Sequence, residues 1–216
     1  MIGVIICDPD LFAREGVKQM LMKHKDLHIA GEARDAFETI ECLHTCSAEV
    51  CLLEIAMAGH CGLKLVRELS SLGVGTPILV MSHRTERDFA LRTIRSGASG
   101  FISKDCSDQQ LASAIRTAAQ RRPYISEVVS ELIVESIVDE SAAPAHQKLS
   151  DLDFEILCLL ANGMQVSAVA KICGTSVAGV RARKTSILEK LGLSTDVDLV
   201  HYALTNHLIE HPGFVS

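Results

Sequence analysis

Short runs of consecutive apolar residues, each closed or broken by a polar one, constrain this chain most. Residues 3–7 (Gly-Val-Ile-Ile-Cys) end at Asp8, residues 50–55 are interrupted by Glu54, and residues 78–82 close on Ser82. Runs of this length are too short for helices and read as strands buried on both faces, as in a parallel sheet. Residues 27–32 and 100–103 supply two more. Helical patterns separate the strands, over 11–23, 36–45, 61–72, 86–96 and 107–121. The last of these has Leu111, Ala114, Ile115 and Ala118 on one face. Asp8-Pro9-Asp10 is a helix-start signal, and Gly97 stops the fourth helix. Five strand–helix units predict an α/β domain over 1–121, built on a five-stranded, doubly wound parallel sheet.

In such sheets ligands sit outside the carboxyl ends of the strands. Asp8, Glu54, Ser82 and Lys104 fall at those ends on strands one, three, four and five, and Gly59 and Gly62 mark a loop beside Glu54. Two carboxylates, a hydroxyl and an ammonium at one edge suit a divalent cation plus a phosphoryl group. Carboxylate oxygens hold Mg²⁺, while lysine and serine contact phosphate oxygens.

The chain has 216 residues, 48% of them hydrophobic, which allows two small domains with real cores. No run reaches transmembrane length and residues 1–10 lack a basic leader, so a cytoplasmic protein without membrane attachment is expected. Eight cysteines then read as reduced thiols rather than a disulfide framework. Cys42 and Cys46 stand one helical turn apart with His44 between them, but without a CxxC pair they read as small core residues. Cys7, at the mouth of the crevice with Lys104 nearby to lower its pKa, is the best redox candidate. No nucleophile–base pair or glycine-rich nucleotide loop is present, so an enzyme is not expected.

Residues 122–147 read as a linker, with a helix over about 125–138 and a stretch at 139–147 that lacks apolar periodicity and carries Pro144. Residues 148–216 then predict four short helices. Ser150 caps the first, Gly174-Thr175 forms a turn, Ser176 caps the third over 177–191, and Gly192 ends it. A helix, a glycine turn and a capped helix with a basic surface make a helix-turn-helix pattern. On the third helix Arg181, Ala182 and Thr185 point away from the apolar stripe, placing them to meet base edges. Arg183 and Lys184 stand beside them for phosphates. The formal net charge is −6, with 15 basic against 20 acidic residues over 1–140 and 6 against 7 over 141–216. Double-stranded DNA would therefore be held through a local patch, with low non-specific affinity.

These motifs together resemble the NarL/FixJ response regulators. Cys7-Asp8, Glu54 with Met57-Ala58-Gly59, Ser82, and the run from Gly97 to Lys104 resemble a receiver domain, in which Phe101 takes the place of the aromatic whose rotamer reports activation. Leu149-Ser150, Glu155-Ile156-Leu157, Gly163, Val169-Ala170, Ser176, Val180 and Lys190-Leu191-Gly192-Leu193 resemble its LuxR-type helix-turn-helix. Val166-Ser167, and Lys184 through to Tyr202, are similar to the capsule-type, RcsB-like subgroup. The resemblance implies a transcription regulator that dimerises through its last helix, here 196–207. It also implies an acidic pair holding Mg²⁺ and a phospho-accepting aspartate.

The departures bear on mechanism. Glu54 replaces the acceptor aspartate, Cys7 stands for one of the metal-binding acids, and Ala58 replaces the loop proline. One more methylene displaces the carboxylate by about 1.5 Å and spoils the in-line geometry of phosphoryl transfer. At most a weak Mg²⁺ site on Asp8 and Glu54 is expected. The longer Glu54 side chain can reach towards Ser82 and Lys104 and partly imitate an acyl phosphate, with at most one negative charge against about −1.5 to −2 for a phosphoryl group. Two functions follow. One is a transcription regulator with a degenerate receiver, acting as a homodimer or as a heterodimer with another response regulator. The other is an auxiliary or anti-activator protein that pairs with another regulator and binds DNA weakly. Gly179, in place of a more usual threonine, favours the second by weakening its helix by about 1 kcal/mol relative to alanine.

Overall fold

The computed structural model describes residues 1–55, 62–73, 75–83, 86–138 and 144–209. Met57, Ala58, Gly59 and Cys61 lie outside them, as does most of the expected linker stretch 139–147. The chain divides into two compact units, Met1–Glu131 and Leu132–Ser216.

Five strands form one parallel sheet in the first unit: β1 (Ile2–Cys7), β2 (Leu27–Ala33), β3 (Val50–Leu53), β4 (Ile78–Ser82) and β5 (Gly100–Ser103). Their order is β2-β1-β3-β4-β5, so the winding direction reverses between β1 and β3. The helices are α1 (Leu11–Leu21), α2 (Ala36–Thr45), α3 (Gly62–Ser71), α4 (Glu86–Arg95) and α5 (Asp108–Ala119). The sequence reading of a five-stranded, doubly wound α/β unit followed by a helical one is correct.

Period-two alternation splits each strand's side chains between two layers. Val4, Ile6, Leu52, Leu79, Met81 and Ile102 join Val17 and Leu21 of α1 and Leu111 and Ile115 of α5 in one core. Ile5, Cys7, Cys51, Leu53, Val80 and Phe101, also buried, belong to the opposite face. Caps fix where the helices begin. Asp10 accepts from the Phe12 amide, Asp35 from Glu38, and Ser107 forms a reciprocal capping box with Gln110. Beyond α5 the chain returns along β5. The Tyr124 amide donates to the Ser99 carbonyl at 2.7 Å, and α6 (Glu127–Val138) buries Val129.

After α6, the next regular structure of the second unit is a 3-10 turn at Ala145–Lys148, which sequence periodicity does not reveal. Four helices follow: α7 (Asp151–Ala161), α8 (Val166–Ile172), α9 (Val177–Leu191) and α10 (Asp196–Thr205). α7 packs on α8, α9 and α10. Phe154, Ile156, Leu157, Val169, Val180, Ile187, Leu199 and Ala203 form the core. Between α8 and α9, Gly174 takes the left-handed φ of 63° that the turn requires. Ser176 caps α9 through the Gly179 amide at 2.9 Å. Gly192 closes it at φ 67°, with the Leu193 amide reaching back to the Leu188 carbonyl at 2.8 Å.

Candidate functional site

Ladder hydrogen bonds carry the chain just past three strand ends, and these fix the polar residues there. The Asp8 amide donates to Ala33, Glu54 to Cys7 and Lys104 to Ser82, at 3.0, 2.8 and 3.0 Å. β1 and β3 are the strands between which the winding reverses, and a crevice opens at such a point. There Lys104 Nζ stands 2.6 Å from Asp8 Oδ2 and 2.6 Å from Glu54 Oε2. Ser82 Oγ donates to Glu54 Oε1 at 2.8 Å, and Asp8 Oδ1 accepts from the Asp10 amide at 2.9 Å. The three charged side chains are only 6–10% exposed. Burial pulls the Lys104 pKa down, but hydrogen bonds and charge from Asp8 and Glu54 outweigh it and hold the ammonium above its usual value.

Glu54 thus spans the crevice, one carboxylate oxygen on a hydroxyl and the other on an ammonium. Phe101, on β5, is fully buried.

Cys7 is not part of this arrangement, contrary to the sequence expectation. Successive side chains of a strand point to opposite faces, so the one that follows Ile6 and precedes Asp8 turns away from the crevice. Its Sγ lies 3.7 Å from that of Cys51, and both residues are buried. The hydrogen bond with Cys7, followed by burial, pushes the Cys51 thiol well above its ordinary range. Burial and the neighbouring Cys46 take Cys42 to about 11. The Cys42 and Cys51 thiols therefore stay protonated. With its side chain against Cys51 on the other face of the sheet, Cys7 has no redox role at the crevice mouth.

On α9, Arg181, Ala182 and Thr185 are exposed. Arg183 points elsewhere: its Nη1 lies 2.7 Å from Oδ1 of Asp153 on α7, whose side chain is 7% exposed. Lys190 approaches the other oxygen of Asp153 at 3.3 Å. Burial opposes ionisation of Asp153, but Arg183, Ser150 and Lys190 overcome it and hold the carboxyl below its ordinary range. Lys184 Nζ contacts both oxygens of Asp196, at 2.7 and 2.8 Å. Both cations expected to face phosphates, Arg183 and Lys184, are therefore paired with acids within the domain. Sequence reasoning missed Asp153 and Asp196 as their partners. The available signal was an acid set among the apolar residues of α7.

Comparison with known proteins places both units. The family described as response regulator receiver domain matches residues 4–116, and the bacterial regulatory proteins of the luxR family match residues 147–203. The oxygen regulatory protein NreC of Staphylococcus epidermidis is 30% identical over 215 residues, covering 96% of this chain and 99% of that one. The chain belongs to the NarL/FixJ response regulators. The response regulator UvrY of Escherichia coli is 25% identical over 209 residues, 96% of each chain. Among solved structures, Salmonella RcsB bound to the promoter rprA is similar in fold, with TM-score 0.76, 22% identity and coverage of 93% of this chain and 97% of that one. Another RcsB structure, from Salmonella typhimurium, gives TM-score 0.80 at 23% identity, covering 96% and 98%.

Resemblance to NarL/FixJ receivers implies Mg²⁺ beside the acceptor carboxylate. The described residues do not fit that ion in this arrangement. Both carboxylates that would hold it already face Lys104 Nζ at 2.6 Å, so an ammonium stands where the cation's charge would act. Cys7 faces the other layer, and Pro9, next along the chain, has no side-chain donor atom. Among the described residues no group of three His, Cys, Asp or Glu side chains could hold a metal ion.

Proposed function

We infer that this response regulator is a DNA-binding transcriptional regulator that works without receiver phosphorylation, with Glu54 in place of the acceptor aspartate holding the crevice permanently engaged. The observation that carries this reading is the double grip of Glu54 on Ser82 Oγ and Lys104 Nζ. The family resemblance assigns those same two groups to a phosphoryl oxygen. A carboxylate one methylene longer than aspartate reaches both without a phosphoryl group. The buried Phe101 ring fits the same engaged arrangement.

Residues 1–121 act as the receiver, 122–147 as the connection and 148–216 as the DNA-binding domain, in the cytoplasm. Relatives solved on promoter DNA and the capped α9 support binding to double-stranded DNA. A homodimer, or a heterodimer with another response regulator, would double the contacts that a weakly charged domain makes singly. Val197 on α10 is 76% exposed, which suits the dimer-forming helix implied by the family.

The auxiliary or anti-activator reading keeps one supporting observation: the pairing of Arg183 and Lys184 with Asp153 and Asp196 removes charge from the DNA face. Genomic fragments selected by the purified protein, never exposed to a phosphodonor, separate the two. A preferred site, with affinity or dimerisation that weakens in Glu54→Gln, is expected. No preferred site would favour the auxiliary reading, and a Glu54→Gln protein that dimerises and binds unchanged would overturn the engaged-crevice mechanism.

A further inference from the structure

α9 presents a solvent face of unusual chemistry. Val177, Ala178, Arg181, Ala182 and Thr185 are all exposed. At about 100° per residue they fall within one sector about 140° wide. Val180 and Ile187 are buried on the other side. Arg183, whose guanidinium lies on Asp153, is on that side too.

The groups available on this face are mostly methyls. Val177 and the two alanines end in nothing else. Thr185 directs its hydroxyl to the Arg181 carbonyl of its own helix at 3.2 Å, which leaves its methyl as the group free to meet a base. Arg181 is the only cation in the sector. The next exposed polar group is the carboxylate of Glu189, one turn beyond Thr185 and towards the C-terminal end, whereas base contact uses the N-terminal half of such a helix.

The DNA major groove carries one apolar marker, the C5-methyl of thymine, and guanine offers O6 and N7 to a bidentate arginine. We propose that α9 reads a thymine-rich half-site around a single guanine, with Val177, Ala178, Ala182 and the Thr185 methyl packed on thymine methyls and Arg181 on the guanine. Specificity then rests on apolar contact more than on hydrogen bonds. This inference depends on the DNA-binding reading and extends it to the class of sequence recognised.

Uracil replacement tests it without altering the protein. The full chain is titrated by fluorescence anisotropy with a labelled duplex selected from genomic fragments, and with the same duplex carrying deoxyuridine for thymine across the half-site. Each recognised methyl should be worth about fourfold in Kd, so the uracil duplex binds more weakly by a multiple of that factor. Thr185→Ser, which keeps the hydroxyl and removes the methyl, should weaken binding to the thymine duplex and make no difference on the uracil duplex. Equal affinity for the two duplexes would overturn the methyl readout while leaving DNA binding intact. The absence of any selected site would instead overturn the DNA-binding reading beneath it.

Discussion

Lys104 sits between two carboxylates that would repel each other without it. The three side chains are 6–10% exposed, so removing the cation strands two buried charges. Breaking such a set by deleting one partner typically costs about 3–5 kcal/mol. Lys104→Met should therefore lower the first unit's urea midpoint by that equivalent; a loss under about 1 kcal/mol would mean that solvent already screens the crevice. The pH dependence has a definite sign. The folded pKa of Lys104 lies above its ordinary 10.5, so the stabilisation is complete below 10.5 and fades as pH rises through the folded value. The alkaline loss should be absent in Lys104→Met. Asp153 gives the opposite case. Its folded pKa lies below the ordinary 3.8, so its contribution is present above 3.8 and lost as pH falls through the lower folded value. Its cations Arg183 and Lys190 are 41% and 49% exposed, which limits the interaction to about 1 kcal/mol. Asp153→Asn should be less stable by that amount at neutral pH and lose less on acidification, followed by circular dichroism in urea. An unchanged acid profile would remove the Arg183 clamp from consideration.

Among the elements, β5 shows how closely the segment after α5 is fitted. A Cβ on Gly100 would lie 2.7 Å from the Tyr124 carbonyl oxygen and 2.9 Å from its Cβ. Backbone cannot swing aside as a side-chain tip can, so Gly100→Ala should cost about 1–3 kcal/mol and raise amide exchange at Tyr124, whose N–H otherwise bonds Ser99. Wild-type protection at Tyr124 in the variant would contradict this. Strands and helices were readable from the sequence because apolar runs, capping residues and glycine stops agree on where each begins and ends. Which face a residue takes was less readable. A strand buried on both sides has no polar alternation, so Cys7 passed for a crevice residue when only its neighbour Asp8 is one. Likewise α10 offers two apolar sets, Val197 with Val200 and Leu204, and Leu199 with Ala203. Packing against α7 chooses the second, leaving Val197 exposed. At Gly179 an added Cβ would approach Thr175 Oγ1 to 2.8 Å, a contact that propensity scales do not register and that the threonine side chain must shift to relieve. The 3-10 turn before α7 was invisible because His146 is buried there between Phe154 and Tyr202, the second of them 56 residues away in sequence.

For the whole molecule, the charge balance and the crevice set the expected behaviour together. With net charge −6, there is no general attraction to nucleic acid, and association must depend on a specific face and on pairing of chains. That pairing would not await a kinase if Glu54 already supplies the contacts with Ser82 and Lys104. Intact-mass measurement of the purified protein after incubation with Mg²⁺ and acetyl phosphate tests this most directly. The mass should remain that of the unmodified chain. A stoichiometric gain of one phosphoryl group, lost in Glu54→Gln, would contradict it and return the receiver to phosphorylation control.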